Sequence, residues 1–332
     1  MAGSAAYKRL LKCYIDAFEF PAKVPMTPVY ASEEFNRTFL RHFVSFMCVA
    51  SGESILKKTG EPNTYLHFSG FVVEHGDDWA VITAGHIFGD YLKELADEGV
   101  TFSYWQLDDS AVSGTPQPPN VFPLDLKNEV LFFNDGNMPG MDYAVFKLPA
   151  LVRMGAQQQG IVPIRKEQWS TDALGEFATW ILVGVPDQTV KAQIGASVHE
   201  KHIVCVKLDR VHSRPLGFTD TSFERLYATI DFSSIGDNGP RITDIAGMSG
   251  GPIFGLQGTH DNFKYRLIGV QSSWNKQDSV AICAAQPFID ALETTMTKQP
   301  ALPNQATAPQ EVAALGATMD EMPDSIRAPK MG

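Results

Sequence analysis

Gly247-Met248-Ser249-Gly250-Gly251-Pro252 places a serine among three glycines and a proline. Glycine allows backbone conformations that side chains forbid. A tight turn here can therefore lift the serine hydroxyl into the open and aim backbone N–H groups at one point. Acyl transfer needs that arrangement, a nucleophile beside donors for a developing oxyanion. An ordinary glycine-rich turn has the same composition, so the reading needs support from elsewhere in the chain.

Two other segments supply it. Ala80-Val81-Ile82-Thr83-Ala84-Gly85-His86 is an apolar strand pattern ending on a histidine, and Met141-Asp142-Tyr143-Ala144-Val145-Phe146-Lys147-Leu148 is an apolar run opened by an aspartate. A serine hydroxyl is a poor nucleophile at neutral pH. A hydrogen-bonded imidazole can take its proton, and a carboxylate behind the ring fixes the tautomer and stabilises the imidazolium. His86, Asp142 and Ser249 are the candidate base, orienting acid and nucleophile.

These segments resemble those of the chymotrypsin-like (trypsin-fold) serine peptidases, in an intracellular or bacterial-type form. Thr83-Ala84-Gly85-His86 is similar to the family's histidine motif, Asp142-Tyr143-Ala144-Val145 to its aspartate motif, and Gly247 through Pro252 to its serine motif. Leu267-Ile268-Gly269-Val270-Gln271-Ser272 resembles the strand that lies along bound substrate. The four anchors stand in family order over roughly residues 65–292. The resemblance implies an all-β fold of two antiparallel six-stranded β-barrels, with an N-terminal helical extension and a C-terminal helix. It places His86 and Asp142 on the first barrel, Ser249 on the second and the site in the cleft between them. It also implies an oxyanion hole from the amides of Gly247 and Ser249, and substrate contacts from Thr243, Gln271, Ser272 and Ser273.

Chain order separates competing hydrolases. Gly247-Met248-Ser249-Gly250-Gly251 also satisfies G-x-S-x-G, but the α/β-hydrolase elbow requires Ser, then an acid, then His. The only histidine after Ser249 is His260, with no acid between them. A subtilisin order needs the aspartate first, and Asp77 and Asp78 sit in a turn with no catalytic signature.

The 332 residues carry 44% hydrophobic and 20% charged residues, an ordinary globular composition. A formal net charge of −11 argues against a nucleic-acid partner, which wants a basic patch. No 18-residue apolar run suggests a membrane span, and the first 20 residues lack a signal-peptide core. Cys13, Cys48, Cys205 and Cys283 are widely spaced and read as reduced thiols in a cytoplasmic setting. His199-x-x-His202 with Cys205 reads as strand or loop rather than a ligand cage. No metal or organic cofactor is expected.

The organisation follows from texture. Residues 1–60 read as a helical extension, with an amphipathic helix over 5–19 and a short one over 33–43. Residues 61–297 form the peptidase-like domain, divided near 155 and 156, and 298–332 a tail poor in large apolar residues. Strands are expected over 44–50, 65–74, 79–83, 101–107, 129–133 and 143–148, then 178–185, 190–196, 203–208, 227–232, 251–254, 265–272 and 280–284. Helices are expected over 90–98 and 287–297, and a surface loop over 110–120.

The expected function is a serine endopeptidase acting on protein or peptide substrates. The alternative is a catalytically silent protein that keeps the fold for binding. Many secreted relatives carry an aspartate before the serine that pairs with a new amino terminus after cleavage; here that position is Met248. The primary pocket floor falls on Thr243 with Asp244 adjacent, which suggests small or medium uncharged side chains. A cytoplasmic peptidase with an assembled site needs restraint, from a narrow substrate range, a regulatory protein partner or the segment 1–60.

Overall fold

The computed structural model describes residues 33–108, 121–124, 126, 130–134, 140–169, 177, 179–192, 199–234, 242–259, 262–286, 288 and 289. The chain enters through helix α1 (Glu33–Leu40). A first body follows, built from strands β1 (Phe43–Ser51), β2 (Asn63–His75), β3 (Asp78–Thr83), β4 (Thr101–Asp108), β5 (Val121–Pro123), β6 (Val130–Phe133) and β7 (Tyr143–Lys147). These form one antiparallel sheet in the order β5-β4-β1-β2-β3-β7-β6. The second body holds β8 (Thr179–Gly184), the short pair β9 (Lys191–Ala192) and β10 (His199–Glu200), β11 (Val204–Val211), β12 (Arg225–Asp231), β13 (Pro252–Thr259), β14 (Asn262–Trp274) and β15 (Ser279–Ala284). Six of these close a barrel in the order β11-β12-β15-β14-β13-β8. The all-β class expected from the sequence is what the chain adopts. The first body is a seven-stranded sheet in which β5 and β6 occupy the two ends.

Strand alternation explains why the two bodies belong together. Successive side chains of a strand point to opposite faces. On β3, Trp79 and Val81 enter the core of the first body, whereas Ala80 and Ile82 enter a separate cluster. On β8, Trp180 and Leu182 fill the barrel, whereas Ile181 and Val183 enter that same separate cluster. The shared cluster is therefore a third core, sandwiched between the bodies and fed by both. Strands buried on both faces read as continuous apolar runs, which is how Ala80–Ile82 and Trp180–Val183 look in the sequence.

Helix α1 seals one side of this interface. Phe39 is fully buried and its ring lies 5.1 Å from Phe35, 5.2 Å from Phe254 and 5.4 Å from Tyr265. Two helices were not expected from the sequence. Helix α2 (Glu53–Thr59) buries Ile55 alone, and α4 (Ala150–Gln158) buries Val152 and Ala156. Helices this short and this weakly apolar leave little periodic signal. The expected helix 90–98 is a π-turn over Ile87–Tyr91 continued by α3 (Leu92–Asp97). The expected helix 5–19 and Cys13 lie outside the described residues, as do most of 287–297 and all of 298–332. Of the expected strand 190–196, Lys191 and Ala192 are strand and 193–198 lie outside. No helix among the described residues is long and apolar enough to cross a membrane.

A buried histidine ties α1, the connection between the bodies and the barrel together. His42 is fully buried. Its Nδ1 lies 2.6 Å from the Val162 carbonyl, which can only accept, so Nδ1 carries the proton. Its Nε2 then accepts from the Tyr265 hydroxyl at 2.8 Å. That phenol oxygen in turn accepts from Arg41 Nη2 at 2.6 Å and Gln168 Nε2 at 3.0 Å. A second proton on His42 would meet no acceptor there. Burial lowers its pKa from 6.5 to about 4, assisted by the Arg41 charge and opposed by the bond to Val162.

The unfolded chain takes up this proton near pH 6.5 and the folded chain only near pH 4. The stability held by neutral His42 is thus complete above pH 6.5 and is lost as the pH falls towards 4. The loss is on the order of 3 kcal/mol. Denaturant unfolding at pH 7 and at pH 4.5 is expected to show it. His42→Gln is expected to flatten that pH dependence; an unchanged slope in the variant would assign it to other groups.

Candidate active site

His86 is positioned by a glycine that nothing else can replace. β3 ends at Thr83, whose hydroxyl donates to the Ser69 carbonyl at 2.7 Å. Two residues on, a Cβ on Gly85 would lie 1.9 Å from the Phe133 carbonyl oxygen and 2.8 Å from that of Tyr143. The absence of a side chain lets the chain press against the ends of β6 and β7. That approach brings His86 onto Asp142, the residue just before β7. The π-turn after His86 begins with amides of Phe88 and Gly89 donating to the Gly85 carbonyl, so the histidine is held from both sides.

Asp142 is almost fully buried and accepts three hydrogen bonds. Its Oδ1 takes the His86 backbone N–H at 2.8 Å. Its Oδ2 takes His86 Nδ1–H at 2.8 Å and the Ser272 hydroxyl at 2.5 Å. Burial alone pushes this carboxyl up. The hydrogen bonds from His86 and Ser272, with the attraction of the imidazole's positive form, more than reverse that and hold it below its usual value. An ionised carboxylate accepts only, so Nδ1 is the protonated nitrogen of neutral His86 and Nε2 is the unprotonated one. The ring itself is partly exposed, at 32% of its side-chain surface.

The serine turn is clamped between the two bodies. Gly247 and Gly250 adopt φ of +87° and +89°, the left-handed region that glycine alone takes easily. A Cβ on Gly250 would stand 2.1 Å from Thr83 Oγ1 and 2.8 Å from the Ala84 nitrogen. The turn thus rests on the same few residues that lead into His86. Ser69, fully buried on β2, braces it further: its hydroxyl donates to the Gly247 carbonyl at 3.0 Å and accepts the Val185 amide at 3.1 Å. Met248 is fully buried in the barrel core against Gly184, and Ser249 between its glycine neighbours is half-buried.

The amides of the turn divide into two sets. Met248 N–H donates to Ile245, Gly250 N–H to Gln271 and Gly251 N–H to Met248. Among the described hydrogen bonds, those of Gly247 and Ser249 have no such use. Two amides spaced two residues apart are thereby left available as donors.

The remaining expected site residues fall in different places. Gln271 spends its backbone on the serine turn, accepting from Gly250 and donating to the Gly251 carbonyl. The pairing of β14 with β15 slips between Gln271 and Ser273, and Ser272 turns its hydroxyl inward to Asp142. Ser272 and Ser273 line a cavity of about 250 Å³ with His86, Asp90, Asp142 and Arg225. Thr243 is exposed and is not among the residues lining this cavity. Asp244 accepts the Ala246 amide at 2.6 Å.

Sequence reasoning missed three participants. Ser69 carries no motif. Arg225 sits at the start of a strand with no signal of its role. Asp187 places Oδ1 2.1 Å from where a Cβ of Gly247 would be, and desolvation and repulsion from Asp244 push its carboxyl up. No group of three or more metal-ligating side chains is assembled among the described residues.

No protein-family model matches the chain, and no curated protein matches it. Among solved structures it is similar to Rv3671c of M. tuberculosis H37Rv in a mutant, inactive form, at 13% identity and a TM-score of 0.44, covering 85% of this chain and 100% of that one. It is also similar to the Rv3671c protease in its inactive form, at 13% identity and a TM-score of 0.43, covering 83% and 98%. A third is the scabies mite inactivated protease paralogue S-I1, at 13% identity and a TM-score of 0.44, covering 80% and 97%.

Gly85→Ala is expected to cost about 1–3 kcal/mol or more, because the new methyl meets backbone on two strands. It should also pull His86 off Asp142. Equilibrium unfolding with a crystal structure of the variant checks both; an undisturbed His86–Asp142 pair would refute the positioning role of this close approach.

Proposed function

We propose that the chain is a serine endopeptidase of the chymotrypsin-like kind. In this reading Ser249 attacks the scissile carbonyl while His86 Nε2 takes its proton. Asp142 holds the tautomer and stabilises the imidazolium. The Gly247 and Ser249 amides receive the oxyanion, and His86 returns the proton to the leaving amine. Water then repeats the sequence on the acyl-enzyme. The observation that carries the reading is the buried Asp142 carboxylate bound twice by His86 and once by Ser272. It leaves an unprotonated nitrogen on a partly exposed ring beside an open cavity.

Substrate is proposed to bind as an added strand. β13 pairs with β14 only as far as Val270, so beyond the serine turn that edge of β14 has no strand partner among the described residues. Ser272 and Ser273 lie on this stretch. Thr243 remains the proposed floor of the primary pocket. The site is proposed to form without amino-terminal cleavage, since Met248 is anchored by apolar packing in the barrel core rather than by an ion pair. A cytoplasmic setting is proposed from Cys48, Cys205 and Cys283, none of which is in a disulfide.

The silent-scaffold alternative has one observation in its favour. Among the described hydrogen bonds, none joins the Ser249 hydroxyl to the His86 ring. Such bonds tighten when substrate arrives, so the two readings part on reactivity. A fluorophosphonate probe is expected to label the wild type at Ser249 and to leave Ser249→Ala unlabelled. Asp142→Asn is expected to lower kcat by about 10⁴-fold with the fold intact. Absence of labelling in folded wild type would favour the silent scaffold.

A further inference from the structure

Arg225 stands where the barrel faces the first body. It opens β12 directly opposite Cys283 of β15, and Cys283 lies opposite Val270 of β14. Residues opposite one another in an antiparallel pair point to the same face. Cys283 and Val270 both belong to the cluster between the two bodies, whereas Leu226 and Ile282, one step along, pack in the barrel core. The Arg225 side chain therefore leaves the barrel on the inter-body face. Its register puts it level with the part of β14 that ends in Gln271 and Ser272. It is buried, at 8% exposure, and lines the cavity with His86, Asp142, Ser272 and Ser273.

The charges on this cavity are unequal in what they can still do. Asp142 is committed to His86 and Ser272. Asp90, at the exposed edge, accepts from Asn134 Nδ2 at 3.0 Å. Among the described residues, Arg225 is the one cationic side chain lining the cavity apart from His86. It makes contacts of its own within the protein, and its guanidinium carries five N–H donors and a permanent charge. Arginine keeps its charge throughout the working pH range and matches a carboxylate with two parallel hydrogen bonds. At about 250 Å³ the cavity is smaller than the roughly 300–1,000 Å³ of a drug-sized site. It has room for a single side chain.

We infer that Arg225 is a specificity-determining residue, and that the cavity beside His86 takes a glutamate or aspartate side chain of the substrate within about four residues of the scissile bond. This rests on the peptidase reading above. It concerns a second side-chain position, distinct from the primary pocket at Thr243. The acidic net charge of the protein disfavours such a substrate at long range. The preference is therefore a local one, made by a buried cation at short distance, and it is weakly screened by salt.

The test uses the full-length protein and matched peptide sets. Glu, Gln and Lys are placed in turn at each of four positions on either side of the cleaved bond. Wild type is expected to prefer Glu over Gln at one position by about tenfold or more in kcat/KM, the scale of a charge-assisted hydrogen bond. The difference should lie mainly in KM. In Arg225→Gln the ratio is expected to fall to about one at that position, and Arg225→Lys is expected to keep part of it. The ratio is taken within one preparation, so partial misfolding of a variant cancels. A wild type that labels with fluorophosphonate but cuts Gln or Lys peptides as well as Glu at every position would overturn the inference and leave the peptidase reading standing. So would a Glu preference that survives Arg225→Gln. A wild type that neither labels nor cuts would overturn both.

Discussion

A buried carboxylate is costly unless its lone pairs are answered. Asp142 sits at the meeting of the two bodies, and its three donors come from two distant parts of the chain. The His86 amide and ring come from the turn after β3, and the Ser272 hydroxyl comes from the bulge in β14. Removing one donor would leave the charge under-satisfied in a low-dielectric place. The two bodies are thus locked in the one arrangement that satisfies it, and the imidazole is locked with them. The third core, between the bodies, supplies the apolar burial around this point, and the Ser69 brace carries the same arrangement to the serine turn.

Glycines make the convergence possible. Gly85 admits the carbonyls of Phe133 and Tyr143, Gly250 admits Thr83 and Ala84, and Gly247 admits the carboxyl of Asp187. Each is a place where one segment presses on another at a distance no Cβ tolerates. Asp187 adds an electrostatic constraint. A carboxyl against Gly247 disfavours a second negative charge close by, and burial with the nearby Asp244 already pushes it towards its neutral form. In the proposed peptidase reaction, the turn accommodates a developing oxyanion better when Asp187 is protonated than when it is ionised.

Much of this was legible in the chain. The runs ending in His86 and beginning at Asp142 have the apolar texture of strands buried on both faces, and β3 and β7 lie where that texture puts them. The glycines around Ser249 announced a tight turn. Other features had no local signature. Ser69 and Arg225 matter because strand register carries them to the inter-body face, and register is a property of pairs that a single segment does not display. The role of Ser272 depends on a slip in the pairing of β14 with β15. Helix α2 was invisible because one buried isoleucine cannot mark a period. The seventh strand of the first sheet is a three-residue strand, β5, following a stretch that reads as loop.

The proposed chemistry requires His86, Ser249 and the amides of Gly247 and Ser249 to face a single reacting atom. The most direct measurement is a crystal structure of the protein after reaction with a peptide boronate, which forms a tetrahedral adduct on a reactive serine. The expected result is a covalent bond from Ser249 Oγ, with one adduct oxygen about 2.7–3.1 Å from the Gly247 and Ser249 nitrogens and His86 Nε2 within hydrogen-bonding reach. An unmodified Ser249, or an adduct whose oxygen points away from both amides, would contradict it.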